Sequence, residues 1–331
     1  MKSWDELTDL INKSDTVLLS THVNPDGDGL GSEIGFYYHL KTLNKECRII
    51  NISPLPEVYE FIDPDKIIET YAAEHNEWLN NVDVTILFDI GDFKRINEIF
   101  PQIQNSKIVL FDHHPIQEEN PYSVIVLDLG SPATGYMVWK YLQYISNDEY
   151  VLDITSANAL YAALITDTGS FKYSSTHSDA HLMAAHLLEQ GVKQYEVHRS
   201  IYEQRKLEQV KLFSFVIQAI EFSEDMKIAW FIIDNEMLSK SGASKGDIEG
   251  FTEFVRGIKG VEIAFMIQQV TDTAHRINFR SSGNYIINDV AKMFGGGGHI
   301  YAAGASIEDL PTKEIKKQIL KQLIMKIENG N

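Results

Sequence analysis

The sequence predicts an α/β protein in which a doubly wound parallel sheet is joined by a helical linker to a smaller α/β domain with a mixed sheet. Through the first half of the 331-residue chain, apolar strands alternate with helical patterns. These strands are continuous apolar runs, which are typical of parallel strands covered on both faces. After a charged helical stretch the order of elements changes. We therefore predict domains at residues 1–192 and 223–331 and a linker at 193–222.

The individual elements follow from hydrophobic periodicity and from the turn residues between them. In the first domain we predict strands at Thr16–Ser20, Cys47–Ile52, Val82–Asp89, Lys107–Asp112 and Ser123–Asp128. Helices are predicted at residues 1–15, Ser32–Leu43, around Trp78, and at Ile96–Phe100, Thr134–Tyr144, Ser156–Ile165 and Ser178–Glu189. One long connecting helix is predicted from Tyr195 to Ile220. The second domain is predicted to contain strands Lys227–Ile233, Glu262–Val270 and His275–Arg280, and helices Asp247–Arg256, Ile286–Phe294 and Thr312–Glu328.

The composition limits the possible partners. The chain carries 29 Lys and Arg residues against 47 Asp and Glu residues, a net charge of −18. This balance argues against a broad basic surface for long nucleic acids or membranes, but not against a small polyanion in a local pocket. The single cysteine, Cys47, excludes an intrachain disulfide and a thiolate zinc site. Because no signal peptide and no apolar run of ~18 residues is seen, we expect a cytoplasmic protein.

The turn after the first strand is the first candidate site, since it carries His22, Asp26 and Asp28. Two carboxylates this close repel each other unless a cation or a proton lies between them. The alternative is an Asp-rich turn in which Asp28 caps the following helix. A dinucleotide-binding loop is disfavoured, because the glycines here do not fit the spacing G-x-G-x-x-G.

Further candidate positions follow three later elements. Asp89 ends one strand, Asp112-His113-His114 ends another, and Asp167 ends an apolar helix, where the helix dipole disfavours an anion. Taken singly, Asp89 could be a loop or capping residue, and the histidines could be a surface pair. Sites in open α/β sheets form at the carboxyl ends of strands, so we expect these turns to converge on the first one.

Together these positions offer two histidines and four aspartates to metal ions. A ligand shell rich in carboxylates and poor in imidazoles suits Mn²⁺ or Mg²⁺ better than zinc. Two such ions ~4 Å apart, bridged by a carboxylate, are a common device for phosphoryl transfer. The sequence therefore predicts two divalent ions, with Mn²⁺ expected and Mg²⁺ as the alternative.

The order of these motifs resembles that of a known family. His-x-x-x-Asp-x-Asp, a strand-end Asp, Asp-His-His and Thr-Asp-Thr-Gly occur as in the DHH phosphoesterases. The stretch Phe294–Gly304, with four consecutive glycines followed by His299, resembles the DHH-associated C-terminal domain of the RecJ-like branch. Ile90 stands where a threonine is the family expectation, but this is not a ligand position.

The resemblance implies a role for each motif residue. One ion would be held by His22, Asp26 and Asp89. The other would be held by Asp28, Asp89, His113 and Asp167, so that Asp89 bridges the two. Asp112 would orient a neighbouring histidine, and His114 would face the scissile phosphate as the catalytic partner of Asp89. A hydroxide bridging the ions would attack phosphorus in line.

The resemblance also implies that the second domain grips the substrate, through Arg280, Ser281, Gly296, Gly297, Gly298 and His299. One glycine suffices to cap the helix that ends at Phe294, whereas four allow backbone N–H groups to approach an anion closely. A flexible hinge loop is the alternative explanation for the glycines. Arg256 and Arg95 are weaker candidates for substrate contacts.

Within the family, the short chain resembles oligoribonucleases of the nanoRNase type, which also remove the 3′-phosphate of 3′-phosphoadenosine 5′-phosphate. The implied partners are short single-stranded RNA and small nucleotides, not long duplexes or membranes. A cyclic or linear di-adenylate phosphodiesterase is the enzymatic alternative. The non-enzymatic alternative is a nucleotide sensor with the same fold. Such a sensor would be expected to lack at least one metal ligand, and the sequence lacks none. The linker helix could also serve as a homodimer interface.

Overall fold

The computed structural model describes residues 2–146 and 150–329. The chain forms two compact units, Met1–Gln204 and Arg205–Asn331. The division falls inside the predicted linker, and the predicted domain boundaries remain predictions. Met1 of the predicted first helix lies outside the described residues, as do residues 330–331 at the end of the predicted second domain.

The sheet of the first unit has six parallel strands in the order β3-β2-β1-β4-β5-β6. These strands are β1 Thr16–Ser20, β2 Glu46–Asn51, β3 Ile68–Thr70, β4 Val84–Phe88, β5 Lys107–Asp112 and β6 Val124–Leu127. The predicted doubly wound parallel sheet is thereby confirmed, because the chain changes direction across the sheet between β1 and β4. Only β3 escapes the prediction, since its three residues are partly exposed and form no apolar run.

Both faces of this sheet are buried. Leu19 and Phe88 belong to the apolar cluster on one face, whereas their neighbours Leu18 and Leu87 belong to the cluster on the other. Successive residues of a strand point to opposite faces, so a strand covered on both sides must be apolar throughout. This is the physical reason for the continuous apolar runs in the sequence.

Seven α-helices accompany the sheet in the described part of this unit. They are α1 Lys2–Asn12, α2 Gly27–Thr42, α3 Asn76–Leu79, α4 Thr134–Ile145, α5 Ile154–Asp167, α6 Ser178–Glu189 and α7 Gln194–Tyr202. The unit also has 3₁₀ helices at Glu57–Ile62, Ala73–His75 and Phe93–Ile103. Across residues 2–146 and 150–329, no helix is both long enough and apolar enough to span a membrane.

Helix α2 begins earlier than predicted, at Gly27 instead of Ser32. The Asp26 carboxylate accepts hydrogen bonds from the backbone N–H groups of Asp28, at 3.0 Å, and Gly29, at 3.3 Å. These bonds satisfy N–H groups that have no partner within the helix. The alternative in which Asp28 caps the helix is therefore wrong, because Asp26 is the cap and Asp28 lies in the first turn.

The prediction of a single helix from Tyr195 to Ile220 is also wrong. Helix α7 ends at Tyr202, and α8 spans Leu207–Gln218. Lys206 between them has extended backbone angles, φ −68° and ψ 146°. The intervening residues 203–206 are polar and exposed, so no apolar face holds them in a continuous helix. Tyr202 instead donates a hydrogen bond of 3.0 Å to the carbonyl of Ile165, which fixes the end of α7 on the first unit.

The second unit contains a mixed sheet, as predicted, in the order β11-β12-β10-β9-β8-β7. Its strands are β7 Glu221–Phe222, β8 Ile228–Ile233, β9 Ile263–Gln269, β10 His275–Ser281, β11 Gly297–His299 and β12 Ala302–Ile307. Strands β8 and β9 are parallel, and the other pairs are antiparallel. Its helices are α8, α9 Asn235–Ser241, α10 Phe251–Arg256, α11 Asn288–Met293 and α12 Thr312–Asn329.

Four elements of the second unit were not predicted from the sequence. Strand β7 has two residues, β11 is made of two glycines and a histidine, and β12 is rich in alanine. Helix α9 spans one short polar stretch capped by Asp234, whose side chain accepts from the Met237 N–H. None of these segments carries a strong hydrophobic period, which is the signal that sequence reasoning uses.

Helices α2 and α5 cross so closely that Gly31 has no room for a side chain. A Cβ at Gly31 would lie 2.2 Å from the carbonyl oxygen of Ala159 and 2.9 Å from the Cβ of Ala163. We expect Gly31→Ala to destabilise the first unit by about 1–3 kcal/mol, the usual cost of overpacking. Urea unfolding followed by circular dichroism measures this change.

The matched control is Gly130→Ala, whose Cβ would meet the Asp128 carboxylate at an ordinary contact distance of 3.4 Å. Its urea midpoint should stay close to that of the native chain. Equal midpoints for the two variants would contradict the close helix crossing.

Candidate metal centre

The candidate residues of the first unit lie at the carboxyl end of its sheet. His22, Asp26 and Asp28 follow β1, and Asp89 follows β4, its neighbour in the sheet. The turn after β5 begins next to that of β4. The expected convergence of the three turns is therefore seen in the structure, at the point where doubly wound sheets form their sites.

The first group consists of His22, Asp26 and Asp89, whose potential ligand atoms lie within 4.8 Å of one another. The Nε2 atom of His22 is 3.7 Å from Asp89 Oδ2 and 3.9 Å from Asp26 Oδ2. The other ring nitrogen, Nδ1, lies 2.8 Å from the carbonyl oxygen of Val23. A proton on Nδ1 satisfies that carbonyl, so Nε2 is the ring nitrogen that faces the two carboxylates and is free to bind a metal once it has lost any proton.

The second group consists of Asp28, His113 and Asp167. His113 Nε2 lies 3.7 Å from Asp28 Oδ2, 3.5 Å from Asp167 Oδ2 and 3.5 Å from Asp89 Oδ1. Its Nδ1 lies 2.9 Å from the carbonyl oxygen of Ser131, which sets the tautomer as it does for His22. The structure thus brings together all six predicted metal ligands, and Asp89 lies between the two groups.

The residues of both groups fit divalent ions. The Nε2 atom of His113 is buried without a hydrogen-bond partner among the described residues, although three carboxylates surround it. Buried polar atoms are normally satisfied, and an orphaned atom facing carboxylate oxygens is what a metal ion would complete. The donors are oxygens and neutral imidazoles, which suit hard or borderline divalent cations.

The charges of the cluster shift the pKa values of its members in opposite directions. Burial raises the pKa of Asp28 well above its usual range, and the neighbouring Asp89 and Asp167 add to this. Burial also raises the pKa of Asp167, to about 7. For Asp89 the same effect of burial is outweighed by His113, His114 and His22, so its pKa falls well below the usual range. Asp89 is the member that stays ionised most strongly.

For the histidines, burial lowers the pKa and the neighbouring carboxylates raise it. Burial lowers the pKa of His113, but Asp89, Asp28 and Asp167 together raise it to about 10. Burial likewise opposes the charged form of His114, yet Asp112 and Asp89 raise its pKa to about 11. Without metal, the cluster therefore holds protons on its imidazoles. These protons occupy the place that cations would take.

Asp112 supports the site without belonging to either ion group. Its Oδ2 atom accepts the backbone N–H groups of Ile90, at 2.8 Å, and Gly91, at 2.6 Å. Its Oδ1 atom lies 3.0 Å from His114 Nδ1, as expected for a residue that orients a histidine. The hydrogen bonds from Ile90 and Gly91 to Asp112, which fix the turn after Asp89, were not predicted. They join the ends of two strands that are separate in the sequence.

The N-terminus of α4 is a second feature that sequence reasoning missed. The Asp28 carboxylate accepts the backbone N–H groups of Thr134, at 2.7 Å, and Gly135, at 2.8 Å. The Thr134 hydroxyl also lies 3.3 Å from Asp89 Oδ1. The helix dipole stabilises a carboxylate placed there. The sequence signal was a run of small residues, Ser131 to Gly135, opening a helix without a capping side chain.

A buried polar network lies beneath the first group. Asn51 accepts the backbone N–H of Thr21 at 3.0 Å and donates at 2.9 Å to Glu33, whose pKa burial raises to about 8. The Thr21 hydroxyl donates at 2.8 Å to the carbonyl of Phe88. These bonds join the ends of β2, β1 and β4. They hold the turns that carry His22 and Asp89 in a fixed relation.

The predicted substrate contacts of the second unit have partners within that unit. Arg280 pairs with Glu253 and donates to the carbonyl of Phe279 at 2.9 Å. The hydroxyl of Ser281 accepts the backbone N–H of Gly283 at 3.3 Å. A substrate that binds Arg280 would have to share the guanidinium with Glu253.

The glycine-rich stretch forms an edge hairpin of β11 and β12. Gly295, at φ +73°, ends α11, whereas a Cβ at Gly296 would lie 2.0 Å from the carbonyl oxygen of Gly304. Gly298, at φ +131°, is equally crowded, with the Ala302 carbonyl oxygen 2.6 Å from its Cβ position. No atom lies within 4 Å of the Cβ position of Gly297, and the same is true of Gly295. Close backbone packing therefore explains Gly296 and Gly298, the positive φ explains Gly295, and His299 is exposed beside them.

Comparison with known families settles the assignment. The family model described as DHH family, N-terminal domain, matches residues 16–165, and the DHHA1 domain model matches residues 225–329. The chain belongs to the DHH family. As a member of this metal-dependent family, it is a phosphoesterase and therefore a hydrolase. The predicted resemblance is confirmed for both domains.

Relatives match over most of their length. A protein of Bacillus subtilis named bifunctional oligoribonuclease and PAP phosphatase NrnA is 28% identical over 307 residues, covering 91% of this chain and 92% of that protein. An exopolyphosphatase-related protein of Bacteroides fragilis has a crystal structure with a TM-score of 0.90 and 25% identity, covering 98% of this chain and 96% of that one.

RecJ of Thermus thermophilus, solved in complex with Mn²⁺, has a TM-score of 0.53 at 12% identity, covering 96% of this DHH family chain and 53% of that one. This likeness is to the fold alone.

We expect metal binding to release protons and to strengthen as pH rises. A group whose pKa is raised holds its proton in the metal-free protein, and a ligand must lose that proton to bind metal. His113, with a pKa of about 10, and Asp167, with a pKa of about 7, are such groups. The affinity for Mn²⁺ should therefore fall from pH 8 to pH 6.

Calorimetric titration in buffers of different ionisation enthalpy measures this release. We expect on the order of one proton per molecule at pH 7.5. Identical heats in all buffers, with an affinity independent of pH, would contradict the assigned ligands.

Proposed function

We propose that this DHH family phosphoesterase hydrolyses very short oligoribonucleotides to mononucleotides and 3′-phosphoadenosine 5′-phosphate to AMP. The observation that carries the proposal is the pair of ligand groups that share Asp89. Two adjacent divalent ions are suited to phosphate ester hydrolysis. The substrate class is supported by the Bacillus subtilis relative, whose name gives both activities and which matches nearly the whole chain.

The proposed ligands follow the two groups. One ion would be held by His22, Asp26 and Asp89, and the other by Asp28, Asp89, His113 and Asp167. When bound, such ions polarise phosphate oxygens and generate a nucleophile from water at neutral pH. We propose Mn²⁺ as the ion, with Mg²⁺ as the alternative, because four of the six ligands are carboxylates.

The chain's own residues orient these ligands and charge the site. The backbone carbonyls of Val23 and Ser131 keep the Nε2 lone pairs of His22 and His113 directed into the cluster. His114 is proposed to face the scissile phosphate as an imidazolium, since burial is outweighed by Asp112 and Asp89 and its pKa rises to about 11. An imidazolium beside the phosphate would stabilise negative charge that develops on its oxygens.

The second unit is proposed to bind the nucleotide. The residues proposed for this role are Arg280, Ser281, Gly296, Gly297, Gly298 and His299. Gly297 is favoured within this set, because open space surrounds the position of its missing Cβ and a ligand could approach its backbone. A cytoplasmic location and short single-stranded RNA as partner complete the proposal; a homodimer remains a prediction.

The proposal is tested with a substrate panel in Mn²⁺. The panel contains RNA dimers to pentamers, 3′-phosphoadenosine 5′-phosphate, cyclic di-adenylate and its linear product, with products resolved by chromatography. We expect mononucleotides from the short RNAs and AMP from the bisphosphate. Turnover confined to the di-adenylates would replace the proposal by the alternative phosphodiesterase, and binding without turnover would favour a sensor.

We expect Asp89→Asn to lower kcat by more than about 100-fold, because it removes the carboxylate common to both groups and even outer partners of metal ligands contribute 10- to 100-fold. Asp9→Asn is the control, since Asp9 is an exposed residue of α1 and loses the same charge. Steady-state rates with short RNA, with circular dichroism to verify folding, give the comparison. A well-folded Asp89→Asn variant with native turnover would refute the shared role.

A further inference from the structure

Arg95 is tied at two points to the turns that carry the first ion group. Its guanidinium Nη1 donates to the carbonyl of Ile90, the residue after Asp89, at 3.2 Å. Its own carbonyl accepts the backbone N–H of Val23, the residue after His22, at 3.1 Å. The guanidinium is therefore held near the carboxyl ends of β1 and β4.

The guanidinium of Arg95 has no ion-pair partner in residues 2–146 and 150–329, and the residue is exposed. In this it differs from two other arginines: Arg48 forms an ion pair with Glu69, and Arg280 forms one with Glu253. Although the chain has a net charge of −18, the Arg95 guanidinium donates to a backbone carbonyl and not to a carboxylate among the described residues. Because a guanidinium has five N–H donors, most of its donors stay available to a ligand.

The charge of the metal-loaded cluster indicates what such a ligand would be. With metal bound and all four aspartates ionised, the carboxylates would carry four negative charges, which two divalent ions would cancel. A phosphate ester would then gain little net attraction from the loaded cluster as a whole. Arg95 adds a positive charge that no carboxylate neutralises.

We propose that Arg95 binds the non-bridging oxygens of the substrate phosphate on the side of the first ion group. The fork of a guanidinium matches two phosphate oxygens, and hydrogen bonds between charged partners are stronger than neutral ones. The hydrogen bond to the Ile90 carbonyl fixes the position of the guanidinium before the substrate binds. This inference rests on the proposed phosphoesterase function, and it adds a residue that the sequence motifs alone rank as a weak candidate.

The test compares Arg95→Gln with Lys94→Gln in protein loaded with Mn²⁺. Gln keeps a side-chain N–H donor but removes the charge. Lys94 is the matched control, because it is the adjacent exposed cation and no contact ties its side chain to the site among the described residues. The binding constant of inorganic phosphate is measured by calorimetry, and Mn²⁺ affinity is measured separately.

We expect Arg95→Gln to weaken phosphate binding by roughly 10- to 100-fold, the range for a hydrogen bond between charged groups. Lys94→Gln should bind phosphate as the native chain does, and the Mn²⁺ affinity of both variants should be native. The KM for short RNA should rise in parallel for Arg95→Gln.

Three outcomes would overturn the inference: no binding of phosphate to the native chain, equal binding in the two variants, or a parallel loss of Mn²⁺ affinity in Arg95→Gln. The last result would mean that Arg95 only supports the turns. If phosphate binding depends on Arg95 but no substrate of the panel is hydrolysed, the inference stands and the proposed function fails.

Discussion

The candidate site depends on one backbone turn, the one that follows β4 and presents Asp89. Asp89 has a φ of +53°, a left-handed conformation that costs a residue with a side chain about 1–3 kcal/mol. The structure offsets this cost with hydrogen bonds: the Asp89 N–H donates to Phe111 at 3.1 Å, and the next two N–H groups donate to Asp112. The turn directs one carboxylate toward both ion groups. A regular end to β4 would leave each group without its common ligand.

The second constraint is the burial of several carboxylates in a small volume. Like charges at this distance are tolerated only when cations, protons or oriented dipoles oppose them. The chain supplies two of these itself. The N-terminus of α4 donates two N–H groups to Asp28, and protonated imidazoles surround Asp89. Divalent ions would replace the protons and leave the helix contacts in place.

The sequence predicted five of the six strands of the first sheet, and it predicted which six candidate ligands the structure brings together, because both leave local signals. Buried parallel strands are apolar throughout, so an acid or a histidine that directly follows such a strand is easily recognised in the sequence. The contact between Asp28 and the N-terminus of α4 leaves no such signal, since it joins residues 106 positions apart. The break after Tyr202 was missed for another reason: a charged stretch has high helix propensity, but exposed residues lack the packing that holds a helix together. Likewise, the hairpin at Gly297–His299 is set by backbone contacts, not by a hydrophobic pattern.

The aspartates of this centre differ in how many structural contacts each makes, and this decides which of them can be replaced without harm to the fold. Asp26 also begins α2, Asp28 also binds the start of α4, and Asp112 also holds a turn. Replacing any of these three would therefore disturb the fold as well as the site. Asp167 accepts no hydrogen bond from the described residues, and its carboxylate lies 3.5 Å from His113 Nε2. Asp167 is therefore the aspartate whose replacement would test metal binding with the least damage to the fold.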